Sequence, residues 1–358
     1  MKIIPELYEK VTTGLGPWDR IGSLPDVTSC KVTEERNGEF YLEMTYPADG
    51  RRADQIRVGR IISAAPRPSS YGVKDPFRIA TIEKHLDGTM DITAYHASYD
   101  LSNVIVMPFT ASNLSDALDG LVNNSVPETD FDFSTDMSSN KSFTVTQPTP
   151  LRDLLFGTEG SIVDTYGGEF KFYLWSVTLM ASRGTVKNVQ IAYGKNLRAF
   201  TETDENGPYD AIVPYAVFND TTYYLTDTNV CATAPVVESS TSYGYPRTIA
   251  VDFSDQFTDT APTQAQLLSA AQSYISGHST SSTANYATGF LDLSKLIGKN
   301  ERIDLCDTIL LSVKPYNVYN MRLKVICTVY DCLLDEYESV QVGDKKITLA
   351  DTLAELMR

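Results

Sequence analysis

The stretch CKVTEERNGEFYLEMTYP, Cys30 to Pro47, narrows the choice of fold more than any other part of the chain. Asn37-Gly38 supplies the two φ > 0 positions that a tight type I′ turn needs. Beyond it, Phe40, Leu42, Met44 and Tyr46 alternate with Tyr41, Glu43 and Thr45. That period of two predicts a strand with one buried face. RIATIEKHLDGTMDITAYHA repeats the device with Asp87-Gly88 at the turn, and GRIISAA precedes it. Residues 27–97 therefore read as antiparallel β, a small barrel or sandwich of strands joined by short turns.

The period then changes. In SNLSDALDGLVNN, Leu114, Ala117, Leu118, Leu121 and Val122 fall at helical spacing, with Ser112 placed to cap. TPLRDLLFG offers a Thr149 cap, Pro150 in the first helical position and Gly157 as the stop. VPETDFDFSTDMSSNKS, between them, reads as a polar, acidic loop. GTEGSIVDTYGGEF, Gly157 to Phe170, continues with a short element and a Gly167-Gly168 turn. EFKFYLWSVTLMASRG then reads as a hairpin, with Phe170, Phe172 and Leu174 alternating and Val177 and Leu179 on the return. Strands resume in NVQIAYGKNL, YDAIVPYAVFNDTTYYLT and RTIAVDFS. A helix interrupts them: Thr263 and Gln266 form a capping box, Leu267, Leu268, Ala271, Tyr274 and Ile275 line one face, and Gly277 ends it. HSTSSTAN is a polar linker. In MRLKVICTVYD, Met321, Leu323, Val325, Cys327 and Val329 share a face, and LADTLAELMR reads as a short amphipathic helix.

A chain of 358 residues exceeds what one core usually serves. The predicted fold is mainly β with α+β inserts. Two β-barrel-like domains are expected, 1–106 and 186–256 with 300–358. An α/β insert occupies 107–185 and a small helical insert 257–299.

The glycine-rich stretch does not carry chemistry. A phosphate-binding loop needs GxxxxGK[ST], and GTEGSIVDTYGG has no Lys there and two carboxylates that would repel phosphate. A nucleophile turn needs GxSxG, but Ile162-Val163 follows Ser161. A dinucleotide fingerprint follows a strand; this one follows a helix. A helix stop and a tight turn explain the glycines. The three histidines are scattered: His85 at a hairpin turn and solvated, His96 half-buried at a strand end, His278 at a helix C-terminus where a cation suits the dipole. Five cysteines, Cys30, Cys231, Cys306, Cys327 and Cys332, have no disulfide-framework spacing and fit a reducing compartment. Cys327 and Cys332 lack a neighbouring His for zinc. The acidic runs ETDFDFSTD and ETDENGPYD do not match a calcium loop and read as solvated loop charge. No catalytic, cofactor-binding or metal residue is assigned, and no cofactor is expected.

Net charge is −16, and no basic stripe of a nucleic-acid reader stands out. Acidity serves solubility; it also suits a channel through which DNA slides without sticking. MKIIPELYEK lacks a long apolar run, so no signal peptide is expected, and nothing approaches a membrane span.

VTEERNGEFYLEMTYP, PFRIATIEKHLDGTMDITAYHASYDLS, LLFGTEGSIVDTYGGEFKFYLWSVTLMASRG and IAYGKNL resemble, in order, the N-terminal hub module of the phage tail-associated lysin, or prophage endopeptidase tail, family. IDLCDTILL and VICTVYDCLLDEYESVQVGD resemble its closing segment. Tyr166-Gly167-Gly168-Glu169 with Arg183-Gly184 is the most specific part. The resemblance implies a fold similar to the baseplate hub of contractile phages, with β-barrel-like domains alternating in a homotrimeric, pseudo-sixfold ring. It implies a structural protein of the virion tail tip, assembled in the bacterial host cytoplasm. Its partners would be the distal tail protein or tail tube, the tape measure protein, and a fibre or lysin module, with DNA transiting the lumen unbound. The family's hydrolase label is not carried over, because no residues here match its catalytic part. The alternatives are a tail-associated peptidoglycan hydrolase, a host-binding adhesin, and the hub of a contractile injection machine.

Overall fold

The computed structural model describes residues 4–9, 19–68, 74–158, 160–205, 209–242, 244–277, 283–290 and 302–343. The described chain forms two compact units. One runs to Thr201 and resumes at Tyr286–Gly343; the other is Glu202–Asn285.

The first unit begins with seven strands: β1 (Glu6–Tyr8), β2 (Arg20–Ser23), β3 (Ser29–Glu35), β4 (Phe40–Pro47), β5 (Ile61–Ala64), β6 (Asp75–Lys84) and β7 (Thr89–His96). Adjacent strands of this group run antiparallel in the order β3-β4-β7-β6-β5-β1-β2. Cys30, Val32, Phe40, Leu42, Met44, Tyr46, Ile92 and Ala94 form the buried face that the alternation predicts. The turn after β3 differs from the expected type. Arg36, Asn37 and Gly38 make a three-residue loop closed by Glu35 N–H on Glu39 O at 2.7 Å. Asn37 alone takes a left-handed φ, +50°. The Asp87-Gly88 turn is tight, with Gly88 at φ +84°.

Between β7 and the later strands lie β8 (Ile105–Val106), β9 (Phe109–Ala111), α1 (Leu114–Asn123), β10 (Ser125–Val126), β11 (Asp132–Thr135), β12 (Phe143–Val145), β13 (Thr149–Pro150), α2 (Leu151–Leu155), α3 (Ile162–Tyr166), β14 (Glu169–Tyr173) and β15 (Ser176–Met180). Asn113, not Ser112, caps α1: its side chain accepts from Asp116 N–H. Pro150 precedes α2 as its cap residue and makes no side-chain cap bond. The segment expected as a plain loop contains β11, which lies parallel against β15. Its alternating exposure left only a weak apolar signal. Phe170 and Phe172 point inward as expected, but Leu174 turns the hairpin at φ +52°, and Trp175 is buried in its place.

The chain continues with β16 (Val186–Ala192), β17 (Leu197–Glu205), then the strands of the second unit, β18 (Ala211–Phe218), β19 (Thr221–Tyr224), β20 (Val237–Glu238) and β21 (Thr248–Asp252), and α4 (Gln264–Gly277). It ends with β22 (Thr283–Phe290), β23 (Thr308–Val313), β24 (Val318–Asp331) and β25 (Glu336–Gly343). The two strand-rich segments share one thirteen-stranded sheet, because β24 pairs with β3 as well as with β23 and β25. The expected single buried face of β24 is corrected. Met321 is 39% exposed, while Val325, Ile326, Cys327, Thr328 and Tyr330 are buried. Bulges at Val325/Cys327 and Val329/Tyr330 break the alternation, and a strand covered on both faces needs no polar side.

The second unit packs α4 on one face of the β18–β21 sheet. Its core contains Tyr209, Ile212, Ala216, Leu225, Phe253, Leu267 and Ala271. Residues 209–256, assigned by sequence to the second β domain, thus pack with the helix that follows them. The capping box of α4 forms as read: Gln266 Oε1 accepts from Thr263 N–H at 2.9 Å, and Thr263 Oγ1 from Gln266 N–H at 3.3 Å. His278 and the terminal LADTLAELMR lie outside the described residues. No helix of the described chain is long and apolar enough to cross a membrane.

Candidate functional site

The densest polar constellation in the described chain is a buried ionic joint in the first unit. It ties β3, the α/β segment and the strands after residue 300 together. The loop between β3 and β4 supplies the first contacts. Arg36 N–H donates to Ile326 O of β24 at 2.9 Å. Asn37 Nδ2 donates to Gly168 O at 3.0 Å, and Asn37 Oδ1 accepts from Phe170 N–H at 2.8 Å. Gly38 O accepts from Arg152 Nη2 at 3.1 Å. The Arg152 guanidinium lies 3.7 Å from the centre of the Tyr99 ring and donates to Ser98 Oγ.

Arg183-Gly184, reached just after β15, is the centre of the joint. Arg183 Nη1 stands 2.7 Å from Glu34 Oε1, with both side chains under 5% exposed. Arg183 N–H donates to Glu169 Oε2 at 2.9 Å. Gly184 lies against the backbone of Cys306 and Asp307; a Cβ there would meet the Cys306 carbonyl carbon and oxygen at 2.1 Å. No residue with a side chain fits. Asp307 fixes the crossing: Oδ1 accepts from Thr185 N–H and Oδ2 from Asp304 N–H, each at 2.8 Å. Lys324 Nζ donates to Glu169 Oε1, closing the link to β24.

A second layer surrounds Arg67, in the Pro66-Arg67-Pro68 turn after β5. Its guanidinium is 3.7 Å from Glu34, 3.8 Å from Asp75 and 3.9 Å from Asp304. These separations exceed hydrogen-bond length, so the guanidinium is held by the summed field of three carboxylates. Asp75 is fully buried, and Oδ1 accepts from Leu174 N–H at 2.9 Å. His96, expected to be half-buried, is fully buried. Its Nδ1 accepts from Ser98 N–H at 3.1 Å, which leaves the proton on Nε2, 3.9 Å from Asp75. The ring stacks on Phe40 of β4 at 4.3 Å, and Phe77 of β6 and Phe172 of β14 pack around it.

Burial raises the pKa of both Glu34 and Glu169 but does not prevail. The charges of Arg183 and Arg67 hold Glu34 below the ordinary range, and the hydrogen bonds from Lys324 and Arg183 N–H do the same for Glu169. At Asp75 burial wins over Arg67 and the Leu174 amide, and the carboxyl is pushed up to about 6. Burial, with the Arg152 and Arg67 charges, drives His96 well below its usual value and keeps it neutral. Cys306 is pushed up to about 12, by burial first.

This arrangement fastens strands from distant parts of the first unit to one another. Cys306 is a protonated thiol, which is a poor nucleophile. His96 has one nitrogen occupied and both faces covered. His85 is exposed and bonded to Asp91 at 3.1 Å, far from any cysteine in the fold's order of strands. All five cysteines are buried and free, Cys327 in the core as expected. Among the described residues, no group of three or more His, Cys, Asp and Glu is arranged to hold a metal ion. The surface groove beside α1 is lined by Phe109, Asp116, Asp119 and Asn123, and that beside α4 by Phe257, Gln266 and Tyr274; neither contains a His, Cys or cation. Sequence reading singled out Arg183-Gly184 and Glu169 without their roles, and it missed Glu34, Arg67 and Asp75. A lone Arg between two prolines after the apolar IISAA was the available signal.

The fold is that of a mainly β protein with small α/β inserts, and solved structures share that fold. A prophage tail protein, gp18 of Listeria monocytogenes, aligns with TM-score 0.56 at 12% identity, covering 99% of this chain and 98% of its own. The 43 kDa tail protein of prophage MuSo2 from Shewanella oneidensis gives TM-score 0.59 at 11% identity over 96% and 97%. A tail protein of Neisseria meningitidis gives 0.54 at 8% over 97% and 99%. No family model matches the sequence, and no curated protein matches it.

Proposed function

We propose that this chain is a structural hub of a phage or prophage tail tip, of the kind found at the start of tail-associated lysins. Three chains form a ring that caps the tail tube, joins the distal tail protein to a fibre or lysin module below, and gates DNA passage. The carrying observation is fold likeness over nearly the whole of both chains to three tail proteins. The buried joint supports it. Its charged groups are spent on fixing strands from distant parts of the chain, as a load-transmitting ring part requires, and none converges on an open cleft. In this reading the strand-rich segments form the body of the ring, and no reaction is catalysed. Native mass spectrometry of the purified full chain is the test. A trimer supports the hub. A strict monomer that clears peptidoglycan in a zymogram overturns it in favour of a hydrolase.

A further inference from the structure

Charge is segregated along the first unit. Residues 186–201 and 308–330 contain six cations, Lys187, Lys195, Arg198, Lys314, Arg322 and Lys324, and no Asp or Glu; all 46 acidic residues of the chain lie elsewhere. The topology brings the two segments together. β16 lies parallel to β23, with Ala192 opposite Ser312, so the turn after β16 and the turn after β23 sit at the same end. Tyr193 N–H donates to Ser312 O at 2.9 Å there. Gln190 Nε2 donates to Ser312 Oγ and to Asn320 Oδ1 and binds the start of β24 to the same place. The Tyr316 ring is 5.1 Å from Phe200 of β17.

Three tyrosines stand out from this end: Tyr193 is 63%, Tyr316 61% and Tyr319 60% exposed. Lys195, Arg198, Lys314 and Arg322 are exposed around them. β16 pairs only with β23 in the described sheet, and its Val186 is 64% exposed. Tyr, Met and Arg are the residues enriched in protein interfaces, and a Tyr–Arg surface is where hot spots concentrate. A cationic aromatic end on a chain of charge −16 calls for an acidic counterpart. The chain itself has one of matching form. Glu128, Asp130 and Asp132 are exposed within five residues at β11, which among the described strands is an edge strand paired only with β15.

We infer that the β16–β23–β24 end of one copy docks on the acidic β11 edge of a second copy of this chain. The contact is head-to-tail, with two different patches meeting, and such contacts generate rings when the rotation closes. The inference rests on the ring proposed above and names its surface and its driving charge. Complementary potentials fix partner and register, and reversing one side places like charges together.

The test is the mass of the full chain by sedimentation equilibrium, from about 0.05 M to about 1 M salt, where the screening length falls severalfold. Wild type is expected to associate, more weakly at high salt. Lys195→Glu with Arg198→Glu and Lys314→Glu is expected to weaken association on the order of tenfold or more. Glu128→Lys with Asp132→Lys should do the same, and all five changes in one chain should restore association. Unchanged circular dichroism melts establish that each variant folds. Tyr316→Ser, which leaves charge intact, should weaken association without altering its salt dependence. Wild-type-like association of the first variant, or failure of the five-change chain to reassociate, overturns the inference and leaves the ring standing. A wild type that stays monomeric at every concentration overturns the ring itself. Salt-sensitive binding of a thymidine 20-mer that the first variant loses, with association unchanged, would give the surface to nucleic acid instead.

Discussion

Asn37 and Gly168 are bonded side chain to backbone across more than a third of the chain, with Asn37 Nδ2 on Gly168 O at 3.0 Å. The same amide takes Phe170 N–H on its oxygen. The residue that turns the first hairpin is therefore also the clasp on the turn that opens the last hairpin of the α/β segment. Asn37 holds this place with a left-handed φ of +50°.

Two bonds of this kind contribute about 1 kcal/mol each, more when the partners are left unmet. Asn37→Ala should lower stability by about 2–3 kcal/mol in urea unfolding. Asn37→Gly keeps the left-handed backbone and loses both bonds, so it should lose nearly as much. A Gly variant matching wild type would show that only φ matters at this position.

Gly184 faces a stricter limit. A Cβ at 2.1 Å from the Cys306 carbonyl cannot be absorbed by a side-chain rotation. Gly184→Ala should destabilise by about 3 kcal/mol or more, the upper range for overpacking. Gly88→Asn, where a Cβ meets nothing within 4 Å, should change stability by less than about 1 kcal/mol, since Asn tolerates the left-handed region. Paired thermal melts separate the two.

Arg183→Met takes from buried Glu34 its closest cation and leaves it facing Arg67 at 3.7 Å, beyond hydrogen-bond length. Removing one partner of a buried pair costs about 3–5 kcal/mol, because the other charge is left uncompensated. Adding Glu34→Gln should recover part of that loss. A double variant no more stable than Arg183→Met alone would mean that Arg183 acts through packing and not through charge.

The joint also gives a signed pH dependence. Asp75 has a folded pKa near 6 against an ordinary 3.8. The folded state therefore prefers its protonated form. Its contribution to stability is fully present below pH 3.8 and is lost as pH rises through about 6. Glu34 and Glu169 run the other way: their contribution is present above the ordinary carboxylate range and is lost as pH falls through their depressed folded values. Asp75→Asn keeps the acceptor for Leu174 N–H and removes the titration. Its stability relative to wild type should rise between pH 4 and pH 7, by up to about 3 kcal/mol. Urea unfolding of both proteins across that range checks it; a flat difference would remove Asp75 as a titrating group.

With all five thiols buried and Cys306 pushed up to about 12, a thiol-specific disulfide reagent at neutral pH should find no fast-reacting cysteine in the native chain and five after unfolding. A native cysteine reacting at the rate of a free peptide thiol would contradict the burial.

The hairpins of β3, β4, β6 and β7 were legible because one solvated face leaves a period of two in the residues. α4 was legible because Thr263 and Gln266 make a local, reciprocal signal. The buried course of β24 was not: a strand covered on both sides carries no alternation, and its two bulges are set by partners distant in sequence. β11 hid because its neighbours make it a strand, while its own residues are polar. The joint was the least legible part. Glu34, Arg67, Asp75 and Arg183 are each ordinary charged residues in the sequence; only the fold removes water from around them.

The pairing of β3 with β24 has a bearing on synthesis. β3 leaves the ribosome nearly three hundred residues before β24, the strand that covers its open edge. Until then the nascent protein presents an uncovered row of amides and carbonyls. Lys31, Glu34 and Glu35 belong to that strand, and charge on an open edge disfavours its pairing with an identical unfinished neighbour before each chain closes on itself.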